Sequence, residues 1–539
     1  MIRIICAFLC LTYILSYSYS QQTVGLFLNS QNSYNGYTLF PTPSDEVFLI
    51  DNCGSFINKW QVSAKGYGTA ELLPDGDLLK SVWIPENSFP AGGTAGKIER
   101  YSWEGELEWE MTYLDDNKIF HHDLTFLPNG NIIFLAWERK SIIECEAVGR
   151  AIVPSEGLWS ETIIEIKPIG NDDYEIVWKW DIWDHLVQNI DSSLNNFGLI
   201  KESPHRLNIN TFSQGSLDAD WLHFNAIDYN ESLDQIIVSS RSLNEIFIID
   251  HSTTTTEAKG SNGGNADRGG DFLFRWGNPI NYNSGFQSDQ QLFSQHNAQW
   301  IPADVPGAGN ILVFNNGSGI PENSQSSSIV EISPILNAFN YDLSENLFLP
   351  ESPIWEYTDN PAILFYSSRI ASCQRLPNGN TLINEGQKGR FFEVDTDGIK
   401  HWEYINPVND FGPVEQNSNP NNNAVFSINK YGPTYTAFDD RDLTPLTPIE
   451  TNPIMTDCQT VSTSSVFIQN HFIITNPIID QLNIIPDTDT HYMAEIFSMQ
   501  GIKIKSLSIK GKASISTSDL PQGLYILRLN NKSQIITKI

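Results

Sequence analysis

Three histidines occupy one position of a repeated sequence pattern, and their imidazoles could act as nucleophile, acid or base. His122 and His296 each stand six residues before the proline of a turn, and His223 stands seven residues before a looser copy of that turn. Imidazole exchanges protons near neutral pH and can attack an electrophilic centre. We therefore treat His122, His223 and His296 as candidate catalytic residues.

Arginines share a second position, at the distal end of the strand that follows the turn. Arg139, Arg241 and Arg390 take it in three different repeats. A guanidinium bonds bidentately to the oxygens of sulfate, sulfonate or phosphate esters. The chain carries 32 Lys+Arg against 64 Asp+Glu, a net charge of −32, so only local cations can attract an anion. These residues favour chemistry on a small anionic ester.

The turn that sets these positions recurs along the chain and predicts antiparallel strands. Clear copies are LLPDGDLLKSV, FLPNGNIIFLA and RLPNGNTLIN, and the repeats end in tryptophan, as in DFLFRW. Asn/Asp-Gly turns join antiparallel strands, and the flanking runs are rich in β-branched and aromatic residues. One such unit cannot bury both of its faces, whereas units packed radially can. We predict an all-β chain with a six-bladed β-propeller; a seventh blade within 182–217 is the alternative.

The innermost strands of a propeller run along its central channel, so equivalent positions of different blades meet at one mouth. The three histidines are therefore expected to converge, and Gly68 and Ala371, which take the same position in two other copies, would leave room for a ligand. For each single histidine, a structural role is the alternative. For the group, the alternative is a transition-metal site that also uses His121 and Asp123.

Composition divides the chain into four regions. Residues 1–20 have a basic start and an apolar core, typical of a secretory signal peptide. Residues 21–440 hold the repeats, 441–470 form a linker, and 471–539 alternate like the strands of a small β-sandwich. The acidic charge excludes nucleic acid as a partner, and the mature chain is predicted to have no transmembrane segment.

The cysteines indicate neither a zinc site nor a dense disulfide framework. Six are present, and two of them lie in the signal peptide. The other four are widely separated, without C-x-x-C spacing: Cys53, Cys145, Cys373 and Cys458. We expect isolated buried residues, with one disulfide as the alternative. The sequence predicts no metal and no cofactor.

The last region resembles the type IX secretion sorting domain of many bacterial secreted proteins. The matching features are Asn476-Pro477, the Met499-Gln500-Gly501 turn and the run LPQGLY before the final strand. The resemblance implies that the type IX secretion machinery is a partner. It also implies export through the periplasm to a secreted or cell-surface location, with removal of the tail. A plain accessory β-sandwich is the alternative.

Most of residues 60–410 resemble the bacterial arylsulfate sulfotransferases. The motifs that carry the resemblance are DWLHFN at 220–225, SSR at 239–241, Gln295-His296, FNNG at 314–317, Tyr366-Ser367 and LPNGNTL at 376–382. Members of that family are secreted six-bladed propellers that move a sulfuryl group from an aryl sulfate to a phenol through a sulfohistidine, without a nucleotide donor. The resemblance implies that His223 and His296 bind and polarise the sulfuryl group.

The chain departs from the family pattern at two positions. The family's nucleophilic histidine is expected just after the NTL segment, where this chain reads NEGQKGR from Asn384 to Arg390. A family arginine is expected after the FNNG run, where this chain has Ser318-Gly319-Ile320. Either His296 or His122 takes the sulfuryl group instead, or the chemistry has changed, or the site only binds.

We therefore predict a secreted arylsulfotransferase-like enzyme that acts on small aryl sulfates and phenols. The predicted catalytic residues are His223, His296 and His122. The predicted substrate-binding residues are Arg241, Arg390, Asn225, Asn297 and Tyr366. The alternative is a non-catalytic extracellular propeller that binds a sulfated or aromatic ligand.

Overall fold

Strands form almost all of the regular structure, which confirms the predicted all-β class. The computed structural model describes residues 22–65, 68–211, 218–320, 325–454 and 458, and shorter stretches between 472 and 538. The predicted signal peptide, the linker residues 455–457 and 459–470, and the Asn476-Pro477 and Met499-Gln500-Gly501 motifs lie outside the described residues. The chain divides into two units, residues 1–458 and 459–539.

The described part of the first unit contains six antiparallel sheets of four or five strands. Their strands are β2 (Tyr37–Pro41), β3 (Glu46–Ile50) and β4 (Phe56–Gln61) in sheet 1; β5 (Ala70–Leu72), β6 (Leu78–Trp83), β7 (Gly96–Tyr101) and β8 (Leu107–Thr112) in sheet 2; β9 (Lys118–Phe126), β10 (Ile132–Lys140), β11 (Leu158–Ile169) and β12 (Asp173–Asp181) in sheet 3; β15 (Phe224–Asn230), β16 (Gln235–Ser240), β17 (Glu245–Asp250) and β18 (Phe274–Trp276) in sheet 4; β19 (His296–Trp300), β20 (Ile311–Asn315), β21 (Ser328–Ile332) and β26 (Trp355–Tyr357) in sheet 5; and β27 (Ser372–Arg375), β28 (Thr381–Glu385), β29 (Arg390–Val394) and β30 (Lys400–Ile405) in sheet 6. Two strands join from the ends of the unit, β33 (Asn429–Tyr431) beside β2 and β1 (Gly25–Asn29) beside β30.

Shorter elements lie in the connections. The short strands are β13 (Leu186–Val187), β14 (Leu207–Asn208), β22 (Leu336–Asn337), β23 (Asn340–Tyr341), β24 (Leu343–Ser344), β25 (Leu347–Phe348), β31 (Val408–Asn409) and β32 (Gly412–Pro413). Among the described residues there is one α-helix, α1 (Ile142–Ala147), which begins at a capping box formed by Ser141 and Glu144. The 3-10 turns are Ile182–His185, Ile200–Glu202, Glu257–Lys259, Pro279–Tyr282, Gln287–Asp289, Ala362–Leu364, Gly386–Lys388 and Thr436–Phe438.

The recurring Pro-Asn-Gly sequence forms a tight turn, as predicted. Between β9 and β10 the amide of Leu127 donates to the carbonyl of Asn131 at 2.9 Å. Gly130 has a φ of 86°, a left-handed conformation that favours glycine. The turn therefore sets the register in which β9 and the histidines near its start are held.

Apolar side chains fill the space between each pair of neighbouring sheets. Leu135 and Ile163 of sheet 3, for example, share a buried cluster with Phe224 and Ile236 of sheet 4. Similar clusters join sheets 1 and 2, 2 and 3, 4 and 5, and 5 and 6. Sheets 6 and 1 meet where Phe40 packs edge-on against another phenylalanine, with ring centroids 5.1 Å apart. The sheets therefore pack face to face in succession, and the last packs against the first.

Each sheet has one edge strand, here called its first strand, that lies next to the corresponding strand of the next sheet; in sheet 1 this strand is β33. Polar side chains tie these first strands to one another. A carboxylate or amide side chain in one strand binds a backbone group of its neighbour, and the series returns to its start. The donor to acceptor pairs are Phe126 N to Glu71 Oε2, Ile227 N to Asp123 Oδ2, Trp300 N to Asp228 Oδ2, Cys373 N to Asn297 Oδ1, Lys430 N to Gln374 Oε1 and Asn429 Nδ2 to the Ala70 carbonyl. The strands β5, β9, β15, β19, β27 and β33 thus form one closed ring.

A disulfide fastens the end of the first unit to its beginning. Cys53 and Cys458, which are 405 residues apart in sequence, form the bond. Cys145 and Cys373 are free and buried. The expectation of isolated buried cysteines therefore holds for two of the four, and the alternative of one disulfide holds for the other pair.

A charged histidine links sheets 3 and 4 and makes that link sensitive to pH. His251 lies between Asp234, 2.7 Å from Nδ1, and Glu165, 3.0 Å from Nε2. Burial opposes its charge, but the two carboxylates raise the pKa of His251 from 6.5 to about 9. The contacts of charged His251 with Asp234 and Glu165 therefore stabilise the fold fully below about pH 6.5. This contribution to stability is lost as the pH rises through about 9.

We expect His251→Gln to lower the free energy of unfolding by about 1–2 kcal/mol at pH 6, and by much less at pH 10. Chemical denaturation of the natural protein and the variant at both pH values measures the two differences. An equal difference at pH 6 and pH 10 would mean that His251 contributes packing rather than charge.

The described part of the second unit contains two antiparallel sheets. Their strands are β34 (Phe472–Ile474), β35 (Gln481–Pro486) and β38 (Ala513–Ser516) in one, and β36 (His491–Ser498), β37 (Lys503–Lys510), β39 (Gly523–Leu529) and β40 (Lys532–Lys538) in the other. Leu482 and Ile484 of the first sheet and Ile496 and Leu527 of the second belong to one buried cluster. Of the helices that the structure describes, in either unit, none has the length and apolarity to span a bilayer.

Candidate active site

The structure brings the three predicted histidines together on adjacent first strands. His122 lies in β9, His223 directly precedes β15, and His296 begins β19. The ring centroids of His122 and His223 are 4.5 Å apart. The ring of Phe426 lies between the outer two, 6.2 Å from His122 and 6.5 Å from His296. The repeat register thus corresponds to one height in the ring of first strands.

The backbone adopts the same left-handed conformation at or next to each of the three histidines. His122 and His223 both have a φ of 52°, and so does Asn297, which directly follows His296. A left-handed conformation costs a residue with a side chain about 1–2 kcal/mol. Close to each of these left-handed residues, the register of pairing between the first and second strands of the sheet is shifted. Such bulges re-aim side chains, and here they direct imidazoles into a common space.

His223 is paired with a carboxylate and is the most open of the three. Its Nδ1 lies 2.5 Å from Oδ2 of Asp220, and its side chain is 16% exposed. A carboxylate in this position accepts the Nδ1 proton and leaves a lone pair on Nε2 when the ring is neutral. No described residue makes a hydrogen bond with Nε2. His223 therefore presents a free ring nitrogen to a ligand.

His296 is held as a neutral ring. The amide of Asn316 donates to the carbonyl of Ser367, so its oxygen faces His296 and accepts the Nδ1 proton at 2.8 Å. The backbone N–H of Ile370 donates to Nε2 at 3.3 Å. Burial, together with the nearby Arg241 cation, lowers the pKa of His296 to about 3. His296 is therefore an uncharged group with its Nε2 already partly engaged.

His122 is buried and is bonded to the histidine beside it. Its Nδ1 lies 2.9 Å from Nδ1 of His121, whose Nε2 lies 3.0 Å from a carboxylate oxygen of Glu161. Burial lowers the pKa of His122 well below its ordinary value, and the neighbouring His223 and His121 lower it further. No described residue bonds to Nε2 of His122. The ring is therefore neutral at rest.

Gly93 makes room for His122. Its φ is 82°, and a methyl group built on it would come within 2.0 Å of His122 Nε2. We expect Gly93→Ala to displace the His122 ring and to lower the free energy of unfolding by about 1–3 kcal/mol. The neighbouring Gly92 has no atom within 4 Å of the same position, so Gly92→Ala is the matched control. Chemical denaturation checks both variants, and equal stabilities would contradict this placement of His122.

Two arginines stand beside the histidines without a described carboxylate partner. Arg241 donates its backbone N–H to the carbonyl of His223 at 3.1 Å, and its guanidinium bonds to no described residue. Burial lowers the pKa of Arg241; the charge of Asp220 opposes this, and the nearby charge of Arg369 adds to it. Arg369 is an exposed residue, and its guanidinium has no described partner either. Two like charges left close together in this way favour a bound anion.

Arg390, predicted to bind substrate, is neutralised within sheet 6. Its guanidinium lies 2.6 Å from Glu403, 3.0 Å from Glu385 and 3.7 Å from Asp359. Burial opposes the charge, but Glu403 and Glu385 raise the pKa of Arg390 above its ordinary value. Carboxylates from neighbouring segments thus pair with the cation, and a role for Arg390 in binding substrate stays a prediction.

The two predicted asparagines also have partners within the fold. Asn297 Oδ1 accepts from the amide of Cys373 at 2.8 Å and so helps to close the ring of first strands, and its role as a substrate ligand stays a prediction. Asn225 donates to the carbonyl of Gln295 at 2.8 Å, and its Oδ1 is buried without a described partner. Tyr366 is half-buried on the connection that also carries Arg369.

Four residues of the site have no role in the sequence prediction. Arg369 and Phe426 come from connections outside the repeats, so the repeat register gives no signal for them. Glu161 is visible only as one of two glutamates in the strand LWSETIIEI, and nothing in the sequence distinguishes it from Glu165. His121 adjoins His122, and the sequence suggests a joint role for them only as metal ligands. No set of three or more His, Cys, Asp or Glu side chains among the described residues is arranged to hold a metal ion.

Comparisons with protein families match both parts of the chain. A family model described as arylsulfotransferase (ASST) matches residues 23–426, and one described as secretion system C-terminal sorting domain matches residues 473–539. Both matches confirm the resemblances that the motifs indicated. No curated protein matches the chain.

Several solved structures are similar to this chain at low identity. A protein of unknown function from Bacteroides caccae is 12% identical with a TM-score of 0.39, covering 73% of this chain and 98% of its own. The β-propeller domain of Cps50 (Swd1) from Myceliophteria thermophila is 10% identical with a TM-score of 0.36, covering 73% and 88%. A catalytically inactive virginiamycin B lyase from Staphylococcus aureus with quinupristin is 12% identical with a TM-score of 0.32, covering 71% and 89%. At these TM-scores the likenesses carry no further argument.

Proposed function

Because the chain belongs to the arylsulfotransferase family, we propose that it transfers a sulfuryl group from an aryl sulfate to a phenol without a nucleotide donor. The site is formed by His122, His223 and His296 together with Arg241. The observation that carries the proposal is the convergence of three imidazoles beside guanidinium groups that form no direct ion pair with a described carboxylate. In a chain of net charge −32, cations left unpaired beside histidines suit a small anionic ester.

The C-terminal sorting domain marks the protein for export, and the protein is secreted or attached to the cell surface. Its partner in that step is the secretion machinery. A sulfuryl donor that is an aryl sulfate rather than a nucleotide suits this location, because the reaction then needs no cytoplasmic cofactor.

We infer that the six sheets are the blades of one propeller and that the two sheets of the second unit form a β-sandwich. The closed series of bonds between the first strands supports the first inference, because it leaves the ring no open edge. The buried cluster shared by both C-terminal sheets supports the second. The proposed site then lies at the mouth of the central channel.

Arg369 is proposed to replace the family arginine that the sequence lacks. The expected position holds Ser318-Gly319-Ile320 and supplies no cation. Arg369 approaches from another connection, close enough to Arg241 to lower its pKa. The two guanidinium groups would hold the sulfuryl oxygens and offset the charge that moves to the departing aryl oxygen.

His223 is proposed to face the sulfur atom. The family's nucleophile position falls in the segment that begins at Asn384, whose amide donates to the carbonyl of Val425 at 2.9 Å. His296 already receives an N–H on Nε2, whereas His223 has an unengaged Nε2 and the Asp220 carboxylate on its other nitrogen. A carboxylate in that position stabilises positive charge on an attacking imidazole.

Phe426 is proposed to contact the aryl ring of the donor or the acceptor. It is the last residue of the family match, and its ring is directed between His122 and His296. Offset or edge-on contact with a phenyl ring adds about 0.5–1.5 kcal/mol to the burial of the ring.

A chromogenic aryl sulfate tests the proposal, with the purified protein assayed with and without added phenol. Release of the chromophore that depends on the phenol supports transfer. Release that does not depend on phenol would indicate hydrolysis and contradict it.

The alternative function is binding of an aryl sulfate without turnover. Asn384 and its neighbours, which stand where the family has its nucleophile, favour this alternative. Calorimetric titration with the same aryl sulfate, followed by analysis of the recovered ligand, distinguishes the two. Binding with intact ligand and no release would establish the alternative.

A further inference from the structure

A buried carboxylate and two imidazoles form an unbroken chain that ends at the candidate site. Glu161 Oε2 lies 3.0 Å from His121 Nε2, and His121 Nδ1 lies 2.9 Å from His122 Nδ1. The far nitrogen of His122 has no described hydrogen-bond partner. The three side chains come from two strands of sheet 3, β9 and β11. Their contacts leave only Nε2 of His122 without a described partner, and the His122 ring lies beside the His223 ring, with centroids 4.5 Å apart.

The surroundings hold this chain in one geometry. The ring of His121 stacks on Trp137, with centroids 3.9 Å apart and an angle of 13° between the planes. The other oxygen of Glu161 accepts from the indole of Trp137 at 3.0 Å and from the amide of Phe224 at 2.8 Å. Glu161 and His121 are fully buried. An apolar pair would serve packing alone at least as well as this buried polar pair.

Hydrogen-bond directions allow two proton arrangements along the chain. When Glu161 is protonated, its O–H donates to His121 Nε2, His121 Nδ1–H donates to His122 Nδ1, and His122 carries its proton on Nε2. When Glu161 is ionised, every donor reverses, and Nε2 of His122 has a lone pair instead. Loss of a proton at the buried carboxylate therefore changes His122 from an acid to a base.

We propose that Glu161, His121 and His122 are a proton relay that protonates the departing aryl oxygen and deprotonates the incoming phenol. The inference rests on the proposed function. His122 touches the substrates, whereas Glu161 and His121 act through it as positioning residues.

The protons balance over one turnover. In the first half, Nε2 of His223 forms a bond to sulfur as the bond between sulfur and the aryl oxygen breaks, and that oxygen takes the Nε2 proton of His122 while Glu161 becomes ionised. In the second half, the acceptor phenol oxygen forms a bond to sulfur as the bond between sulfur and His223 breaks. The phenol gives its proton to Nε2 of His122, and the chain returns the proton to Glu161. Neither half requires an imidazolium within the buried chain.

The charges around the chain agree with this assignment. Burial, with Asp220 nearby, raises the pKa of Glu161 well above its ordinary value, and burial lowers the pKa of His121. The groups that face His122 are His121, His223, His296 and Arg241, and those that face Glu161 are Asp220, His121 and His223. Two neutral imidazoles between a proton-holding carboxyl group and the site are suited to carry protons.

Glu161→Gln tests the relay, because a glutamine amide donates to His121 permanently and fixes the acidic form of His122. We expect transfer to a weakly acidic phenol to fall by about 10²–10³-fold. Transfer to a phenol that is already ionised at the assay pH should fall much less, because it has no proton to lose. The matched control is Glu165→Gln, on the same strand, where the carboxylate binds His251 instead. Glu165→Gln should leave the rates of transfer to both phenols unchanged.

Histidine ring ¹⁵N NMR tests the same relay without turnover. In the natural protein, Nε2 of His122 should lose its proton as rising pH ionises Glu161, and in Glu161→Gln it should keep it. If Glu161→Gln lowered the rate of transfer to both phenols equally, the relay would be overturned. The same NMR response in the natural protein and in Glu161→Gln would also overturn it. If the natural protein transfers no sulfuryl group, the proposed function fails, and the NMR response alone decides whether the relay exists.

Discussion

Replacing His223 with alanine is expected to lower kcat/KM for aryl sulfate-dependent sulfation of a phenol by about 10³–10⁴-fold. The variant removes the ring nitrogen that is free to face the sulfur atom and leaves Asp220, 2.5 Å from the lost Nδ1, as an unpaired carboxylate. That charge would repel the anionic donor in addition to the loss of the imidazole. Steady-state kinetics with the chromogenic donor measure the effect, and thermal unfolding shows whether the variant is folded.

The matched control is His401→Ala. His401 is also bonded to an aspartate, with Nε2 2.9 Å from Asp395, but it lies at the end of the sheets that carries the Pro-Asn-Gly turns. We expect this variant to lose stability and to keep its activity once folded. Full activity of folded His223→Ala would contradict its assignment, as would equal losses in the two variants.

Replacing Arg241 with methionine is expected to lower kcat by about 10²–10³-fold. Methionine keeps much of the volume of the side chain but removes the cation that holds the sulfuryl oxygens. Arg241→Lys should recover part of the activity, because the charge returns without the bidentate geometry. Kinetics at several donor concentrations separate the effect on kcat from that on KM.

Arg139→Met is the control for Arg241. Arg139 takes the same repeat position, but its guanidinium bonds to the carbonyl of Asp116 and lies over the ring of Phe89, with 4.4 Å between Cζ and the ring centroid. Its loss should affect stability and not turnover. A change in KM alone for Arg241→Met would mean that Arg241 binds the donor without stabilising the transition state, and it would contradict this part of the account.

The sheets and the convergence of the histidines are predictable from the sequence because both follow from one repeated register. A residue six positions before each turn must stand at the same height in its first strand, so the spacing alone relates His122 to His296. The same reasoning reaches His223 through a looser copy of the turn. Periodic strands therefore carry positional information that a single sequence can reveal.

The register does not reveal which polar groups are already engaged. Arg390 is predicted as a ligand because of its repeat position, but that position does not show that Glu403, in the neighbouring strand β30, and Asp359, before β27, neutralise it. The partner of Asn297 is not evident from the sequence for a related reason, since Cys373 lies in the next sheet. Hydrogen bonds between neighbouring sheets depend on side-chain direction, which composition and spacing do not determine.

Groups from irregular connections escape prediction for a different reason. Arg369 and Phe426 reach the site from segments without a repeat, and no spacing rule relates them to the histidines. Only the folded connections bring Arg369 close to Arg241 and the Phe426 ring close to His122. The parts of the site that set charge and aromatic contact are thus the parts that depend on the tertiary fold.

The most direct test of the central claim is to follow the sulfur atom itself. The purified full-length protein is incubated with an aryl sulfate labelled with ³⁵S and with a different phenol, and the products are separated. The account predicts labelled sulfate ester on the second phenol, formed as fast as the first phenol is released and without free sulfate. Labelled free sulfate alone, or donor recovered intact from a folded protein that binds it, would contradict the account.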